Sequence, residues 1–166
     1  VMVGTKTNVV TSVEVTHPHE HDGQHFRPVF ERTARNFTMQ RVSADKAYSS
    51  ARILALVDSV GAVPLVPFKS NAKGTSPYCK RGLGIWARMF HYYSYNRDDF
   101  MKHYHRRSNV ETTFSMIKAK FGPALRSKTP VAQVNELLCK VLCHNLCCLV
   151  QSMYELRVEP EFWKAS

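Results

Sequence analysis

The sequence predicts an α/β fold in which helices cover a small sheet. Three observations indicate this class: β-branched runs open the chain as a hairpin pattern, two further short apolar runs are typical of strands, and helical periodicity lies between and after them. The predicted order is strand, strand, helix, strand, helix, strand, helices. Strands that alternate with helices in this way favour a sheet with covering helices.

The first strands and the first helix bring an aspartate to a strand end. The opening stretch "VMVGTKTNVVTSVEVT" predicts a hairpin that turns at residues 5–8. Phe26, Val29 and Phe30 then follow helical spacing, in a helix expected to end near Asn36. Residues 41–44 predict a short buried strand, which places Asp45 at its carboxyl end.

A second helix and a fourth strand follow Asp45. Ser49 or Ser50 is expected to start a helix, since serine favours that position, and the helix should run over 51–60 and stop at Gly61. The next stretch, "AVPLVPFK", is another apolar run. Its two prolines predict an edge or terminal strand, because proline cannot donate to a neighbouring strand.

The second half of the chain is predicted to be helical apart from one loop and one break. Residues 70–84 are rich in Gly, Ser, Pro and cations, which predicts a basic surface loop. The pattern over 85–121 is helical and contains no proline, and "FGPALRSKTP" then breaks it. A C-terminal helix is expected over 131–156. One partial domain over 1–166 is the expected organisation, and the chain is expected to begin in mid-domain.

The charge of the chain points to a polyanionic partner. Its 166 residues carry 23 Lys and Arg against 13 Asp and Glu, a formal net charge of +10. Such a strongly basic chain attracts phosphates over long range. Nucleic acid is therefore the first candidate partner.

The cysteines indicate a reducing, cytoplasmic setting. They number five, and Cys139, Cys143, Cys147 and Cys148 lie in one apolar segment, which is not the pattern of a disulfide framework. Cys139, Cys143 and Cys147 recur at every fourth position with His144 close by, so a metal-binding or redox stripe is conceivable, but leucines interleave with these three cysteines and core packing is favoured. Core packing is also expected of Trp86 and Phe90 rather than base stacking.

No membrane partner is expected from the hydropathy pattern. The longest apolar stretch is interrupted by Lys140, His144 and Asn145, so no run of membrane-spanning length is predicted.

The stretch "HYHRRSNVETTFSMIKAKFG" places one carboxylate among many cations. On a continuous α-helix, Tyr104, Arg107, Glu111 and Lys118 would lie within an arc of roughly 60°. A carboxylate there can hold a divalent cation while its neighbours bind phosphates, which suits a phosphodiester substrate. The residues 108–111 also match a capping box, in which Glu111 only satisfies backbone donors at a helix start. A helix break at Ser108 would separate Tyr104 and Arg107 from the helix that carries Glu111.

Together these motifs resemble those of DDE transposases from bacterial insertion sequences. The spacing Tyr-x2-Arg-x3-Glu-x6-Lys at Tyr104, Arg107, Glu111 and Lys118 is similar to the signature around the third acidic residue of that family. "SADKAYSS" resembles the strand end that carries the second acid, at Asp45. "VGTKTNVVTSVEVT" and "HDGQHF" resemble the hairpin and the helix start between the first and second acids.

The resemblance implies a fold, a chemistry and partners. The fold would be a ribonuclease H-like mixed sheet flanked by helices, lacking its first strand and with an extra C-terminal helix. Asp45 and Glu111 would be catalytic residues that bind two Mg²⁺ ions, while Tyr104, Arg107 and Lys118 would hold DNA. The expected partners are the element's DNA ends and the target DNA, bound by a homodimer in the cytoplasm, associated with the nucleoid.

The family's first catalytic aspartate has no counterpart in these residues. It belongs on the strand before the one that begins at Val1, and Asp22 lies in a loop after the hairpin. We therefore expect little or no strand-transfer activity from the 166 residues alone, as part of a longer transposase or a decayed copy. A non-catalytic DNA-binding remnant is the alternative.

Two other sets of residues carry expectations. His17, His19, His21 and Asp22 resemble the metal-binding loop of metallo-β-lactamase-type hydrolases, in which alternating histidines bind Zn²⁺. The order His21-Asp22 is reversed relative to that motif and the usual glycine pair is absent, so a polar surface loop is favoured. Lys80 and Arg81, in the basic loop, are expected to contact DNA phosphates.

Overall fold

The structure, a computed structural model, describes residues 1–16, 22–75 and 83–157. Short 3₁₀ turns lie at Lys46–Tyr48 and His105–Ser108. The strands are β1 (Met2–Val3), β2 (Val10–Ser12), β3 (Arg41–Ser43) and β4 (Val63–Leu65). The α-helices are α1 (Asp22–Asn36), α2 (Ala51–Asp58), α3 (Leu83–Tyr95), α4 (Arg97–Tyr104), α5 (Asn109–Phe121) and α6 (Pro130–Leu156).

The chain forms two compact units. One consists of residues 1–11 and 109–166, and the other of residues 12–108. The predicted α/β class is confirmed, because both units combine short strands with helices. The single partial domain over 1–166 stays a prediction, and so does the ribonuclease H-like arrangement.

A parallel strand pair organises the unit of residues 12–108. In it β3 pairs with β4, with Arg41 opposite Val63 and Ser43 opposite Leu65. The predicted strand at 41–44 and the strand in "AVPLVPFK" are thereby confirmed. A parallel pair needs a crossover connection, and α2 supplies it.

Local signals explain where α2 begins and ends. The Ser50 hydroxyl accepts a hydrogen bond from the backbone N–H of Ile53 at 3.3 Å, so Ser50 caps the helix. The helix buries Leu54 and Val57 completely. Gly61 follows with φ +77°, a left-handed conformation that glycine adopts without a steric penalty.

Aromatic side chains fill the core of the same unit. The Phe68 ring lies 4.8 Å from the Trp86 ring and 5.4 Å from the Phe90 ring, both edge-on. Phe100 of α4 is fully buried, with its ring 5.0 Å from that of Tyr93. The expectation that Trp86 and Phe90 belong to the helix core is confirmed.

The other unit joins the N-terminal hairpin to α5 and α6. The predicted hairpin is confirmed: β1 pairs with β2, and Asn8 turns the chain with φ +57°. The Asn145 side chain accepts a hydrogen bond from the Val10 N–H and donates one to the Val10 carbonyl, both at 2.8 Å. Buried His144 donates to the Asn8 carbonyl at 2.9 Å. Polar side chains of α6 therefore hold the hairpin.

The C-terminal helix begins where the sequence predicts it. Thr129 caps α6 by accepting a hydrogen bond from the Ala132 N–H, and Pro130 occupies the first turn, where its missing N–H costs nothing. Glu136 accepts hydrogen bonds from the backbone N–H groups of Arg126 and Ser127. These hydrogen bonds hold the segment that precedes α6 against the helix.

The expectation that Cys139, Cys143 and Cys147 pack in the core was wrong. Cys148 is buried, but Cys139, Cys143 and Cys147 are exposed, and all four are free. Successive α-helical positions differ by about 100°, so these three residues lie away from the face with His144, Asn145 and Cys148 that holds the hairpin.

The exposed face of α6 is strongly apolar. Its exposed members besides the cysteines include Leu138, Leu142, Leu146, Val150, Met153 and Tyr154. By length and composition alone, Pro130–Glu155 is long and apolar enough to cross a membrane, a test that a core helix of a soluble protein also passes. Lys140, His144 and Asn145 were expected to leave no run of that length. This expectation was wrong, because the many apolar neighbours keep the mean hydropathy of the helix high.

Candidate functional site

Asp45 lies at the carboxyl end of β3, as the sequence predicts. The Ala44 N–H donates to the Leu65 carbonyl at 3.3 Å, so pairing with the β4 chain continues up to the residue before Asp45. Asp45 then precedes the 3₁₀ turn Lys46–Tyr48 with extended backbone angles, and its side chain forms no capping hydrogen bond. Its half-exposed carboxylate is thus presented at the strand end rather than used to start the turn.

Two further predicted site residues meet Asp45 in the same unit. Arg107 Nη1 lies 3.6 Å from Asp45 Oδ2. The Arg107 guanidinium carbon also lies 5.7 Å from the centre of the Tyr104 ring, within cation–π range. Tyr104 in turn stacks on buried Phe100, with ring centres 6.2 Å apart. A row of contacts thus leads from buried Phe100 through Tyr104 and Arg107 to Asp45.

The premise of one continuous helix from Tyr104 to Lys118 was wrong. Helix α4 ends at Tyr104, a 3₁₀ turn covers His105–Ser108, and α5 begins at Asn109. A 3₁₀ turn has about 3.0 residues per turn rather than 3.6, so it rotates the following residues out of the α-helical register. The Ser108 hydroxyl donates to the His105 carbonyl at 2.9 Å inside this turn. The structure thus favours the alternative with a helix break.

Glu111 and Lys118 share one face of α5 in the other unit. Glu111 lies in the first turn and Lys118 in the last, and both are exposed. Seven residues correspond to nearly two full turns, so the two side chains project from the same side of the helix. Thr113 and Ile117 are buried. Each charge also lies at the helix end where the helix dipole stabilises it.

The proposed ligands fit a divalent cation in their chemistry. Both Asp45 and Glu111 are carboxylates, and hard cations such as Mg²⁺ prefer oxygen ligands of this kind. Among residues 1–16, 22–75 and 83–157, no cluster of three or more His, Cys, Asp or Glu side chains is positioned to hold a metal. Asp45 belongs to the unit of residues 12–108 and Glu111 to the other unit.

Several predicted positions lie outside the described residues. They are Lys80 and Arg81 of the basic loop and the histidines His17, His19 and His21. Asp22 is the first residue of α1. Of the predicted loop 70–84, the structure describes residues 70–75 and the backbone of 83 and 84, which begin α3.

The structure also shows an exposed aromatic pair that the sequence interpretation passed over. The rings of His91 and Tyr95, at the end of α3, are stacked 5.7 Å apart and nearly parallel, at 12°. The signal was present in "HYYSYNR", where aromatic residues and a cation follow one another. It was missed because the interpretation considered only Trp86 and Phe90 of this helix, which lie in the core.

One unit thus carries a carboxylate at the end of β3 with an arginine beside it, and the other carries a carboxylate and a lysine on one face of α5. Proteins use these residue types to bind divalent cations and phosphates. The chain belongs to the transposase DDE domain family, whose model matches residues 1–146. No curated protein and no solved structure shows significant similarity to the chain. The family assignment confirms the resemblance to insertion-sequence transposases and a role in DNA transposition.

Proposed function

We propose that this chain is the C-terminal part of the catalytic domain of an insertion-sequence transposase, with a ribonuclease H-like fold. Its reaction would be Mg²⁺-dependent hydrolysis of phosphodiesters and strand transfer to target DNA. The observation that supports it best is the position of Asp45 at the end of a parallel strand, 3.6 Å from Arg107. The family match over residues 1–146 supports the same reaction class.

Each predicted residue has a proposed role. Asp45 and Glu111 would hold divalent cations, which supply Lewis-acid activation of water or of a DNA 3′-hydroxyl. Tyr104 orients Arg107 through its ring, and Arg107 and Lys118 bind DNA phosphates. Because Arg107 already lies beside Asp45, it reduces the repulsion between that carboxylate and a phosphate that approaches it.

Metal binding tests this assignment without requiring catalysis. We expect the chain to bind Mn²⁺, followed through the electron paramagnetic resonance signal of the free ion, and Asp45→Asn or Glu111→Gln to weaken binding roughly tenfold or more. Asp58→Asn is the matched control, since this carboxylate pairs with Arg88 at 2.7 Å on the surface. Equal affinities in all four proteins would refute the assignment of Asp45 and Glu111 as ligands.

We also propose that the 166 residues alone have little or no strand-transfer activity, because they supply two of the family's three catalytic carboxylates. A gel assay with element-end DNA and Mg²⁺ checks this. Cleavage by the isolated chain would contradict it. Cleavage that appears only when an upstream strand with an aspartate is restored would favour the enzyme over a non-catalytic DNA-binding remnant.

We propose a cytoplasmic, nucleoid-associated homodimer as the form that binds DNA. The apolar face of α6 supports self-association, because contiguous exposed apolar surface of several hundred Å² is typical of interaction sites. Leu142 and Leu146, both exposed in the middle of this face, would pack against a second copy. Sedimentation of the chain and of Leu142→Glu tests this: a monomer in both cases argues against the homodimer.

A further inference from the structure

The end of α3 carries a stacked pair of rings at the protein surface. His91 and Tyr95 are one helical turn apart, and their rings lie 5.7 Å apart at 12°. Tyr95 is 79% exposed, so one face of the stack is open to solvent. On its inner side, His91 meets the edge of Phe90 with ring centres 6.0 Å apart. The pair thus extends outward from a ring that packs on the core.

The stack is not needed for the packing of α3. Trp86, Phe90 and Tyr93 already fix this helix, since all three rings lie within 5.7 Å of the Phe68 ring. A tyrosine as exposed as Tyr95 gains little from the hydrophobic effect. A single exposed tyrosine needs no explanation. What distinguishes Tyr95 is its parallel partner, together with the cations in the neighbouring chain segments.

The chain segments next to the stack carry cations. Arg97, two residues after Tyr95, is exposed and places its guanidinium carbon 4.6 Å from the Tyr93 ring. The first part of the basic loop also packs against α3. A Cβ atom added to Gly74 would come within 3.2 Å of Phe90 and 3.8 Å of His91, so exposed Lys73 is next to a residue in contact with the stack.

A hydrogen bond holds the Lys73 backbone against α3, and Asp99, which is close to Arg97 in the chain, is engaged by other side chains. The Trp86 indole N–H donates to the Lys73 carbonyl at 2.8 Å, which fixes this part of the loop against α3. Asp98 and Asp99 lie in the first turn of α4. Asp99 accepts a hydrogen bond from the Tyr92 hydroxyl and lies 3.8 Å from His103.

We propose that His91 and Tyr95, flanked by Lys73 and Arg97, form a stacking platform for an unpaired nucleobase of a DNA strand. The inference rests on the proposed function, which makes DNA the substrate. Aromatic rings beside cations are the combination that binds single strands, since the rings stack on bases and the cations bind the backbone. A base inside a duplex is already stacked on its neighbours, so the ligand is a strand end, an overhang or a melted segment.

Two DNA probes separate stacking from general attraction to phosphates. One is a blunt duplex, and the other is the same duplex with a short single-stranded overhang that contains 2-aminopurine. We expect Tyr95→Ala to weaken binding of the overhang probe roughly tenfold, with little change for the blunt duplex. The 2-aminopurine fluorescence should be quenched by the unmodified chain and not by the variant. Tyr95→Phe should retain both properties, because it retains the ring.

Phe37→Ala is the matched control, since Phe37 is an exposed aromatic residue, at 48%, and lies outside the platform. An unchanged overhang affinity in Tyr95→Ala, or an equal loss on both probes, overturns the platform and leaves the proposed function standing. If the unmodified chain binds neither probe, the proposed DNA substrate itself is wrong. Matching thermal unfolding of Tyr95→Ala and the unmodified chain shows that any loss of affinity is local.

Discussion

Asp45 and Arg107 illustrate what sequence patterns reveal about single residues. The short run at 41–44 is followed directly by Asp45. The residue after a strand lies at the carboxyl end of that strand, whatever the rest of the chain does. The proximity of Arg107 to this carboxylate had no local signal. The structure shows Arg107 in contact with both Asp45 and the Tyr104 ring, which packs against the buried Phe100 ring.

Truncation of the Phe100 side chain should therefore lower the stability of the fold strongly. Phe100 is fully buried between the Tyr92, Tyr93 and Tyr104 rings. We expect Phe100→Ala to lower the free energy of unfolding by about 3–5 kcal/mol, measured by urea denaturation, because it removes a buried ring and leaves a cavity.

Phe37→Ala is the control, since Phe37 is 48% exposed and opens no internal cavity. The decrease in the free energy of unfolding should be clearly smaller for Phe37→Ala than for Phe100→Ala. Similar losses in the two variants would mean that the aromatic cluster around Phe100 does not support the unit of residues 12–108.

At the scale of elements, the signals at helix ends were more informative than the periodicity inside helices. Ser50 and Gly61 mark helix boundaries in both the sequence and the structure, and Thr129 caps α6 in the structure, because each meets a local requirement of the backbone. The 3₁₀ turn at His105–Ser108 was missed, since its residues fit an α-helix equally well. That turn decides which signature residues share a helix, so the missed feature changed the geometry of the site.

The hydrogen bonds between Glu136 of α6 and the segment before this helix give a prediction for the pH dependence of stability. Hydrogen bonds lower the pKa of Glu136 from 4.5 to about 2. Those donated by Ser127 have the largest effect, and those donated by Lys140 and Arg126 have smaller effects. A carboxyl group whose pKa is lower in the folded state stabilises the fold above its unfolded pKa, and this contribution is lost as pH falls through the folded value.

We therefore expect Glu136→Gln to be less stable than the unmodified chain at neutral pH. The difference should persist down to about pH 4.5 and shrink between there and about pH 2, as followed by urea denaturation along a pH series. A difference that stays constant with pH would show that the Glu136 carboxylate is not held in this way.

At the scale of the whole molecule, the charge of +10 has a measurable consequence for DNA binding. Each phosphate that a cation neutralises releases counterions, so affinity falls as salt rises, with a logarithmic slope of about −0.9 per contact on duplex DNA. Lys80 and Arg81 are the two loop cations predicted to make such contacts.

Neutralising both, as Lys80→Gln with Arg81→Gln, should weaken DNA binding and reduce the slope by roughly 2, measured by fluorescence anisotropy over a salt series. The control is Arg27→Gln with Arg32→Gln, because these arginines already pair with Glu31 and Glu14 on the protein. If the loop variant retains the slope of the unmodified chain, this loop does not contact the phosphates.

The sequence by itself determined the family, the basic charge, the order of elements and the position of Asp45. These follow from residue types and from spacing along the chain, which local sterics and helix-end chemistry translate directly into structure. Only the tertiary structure decided which faces are covered. It set Arg107 beside Asp45, interrupted the signature helix, left the cysteines of α6 exposed and stacked Tyr95 on His91. Burial depends on contacts between distant segments, and no local pattern encodes those.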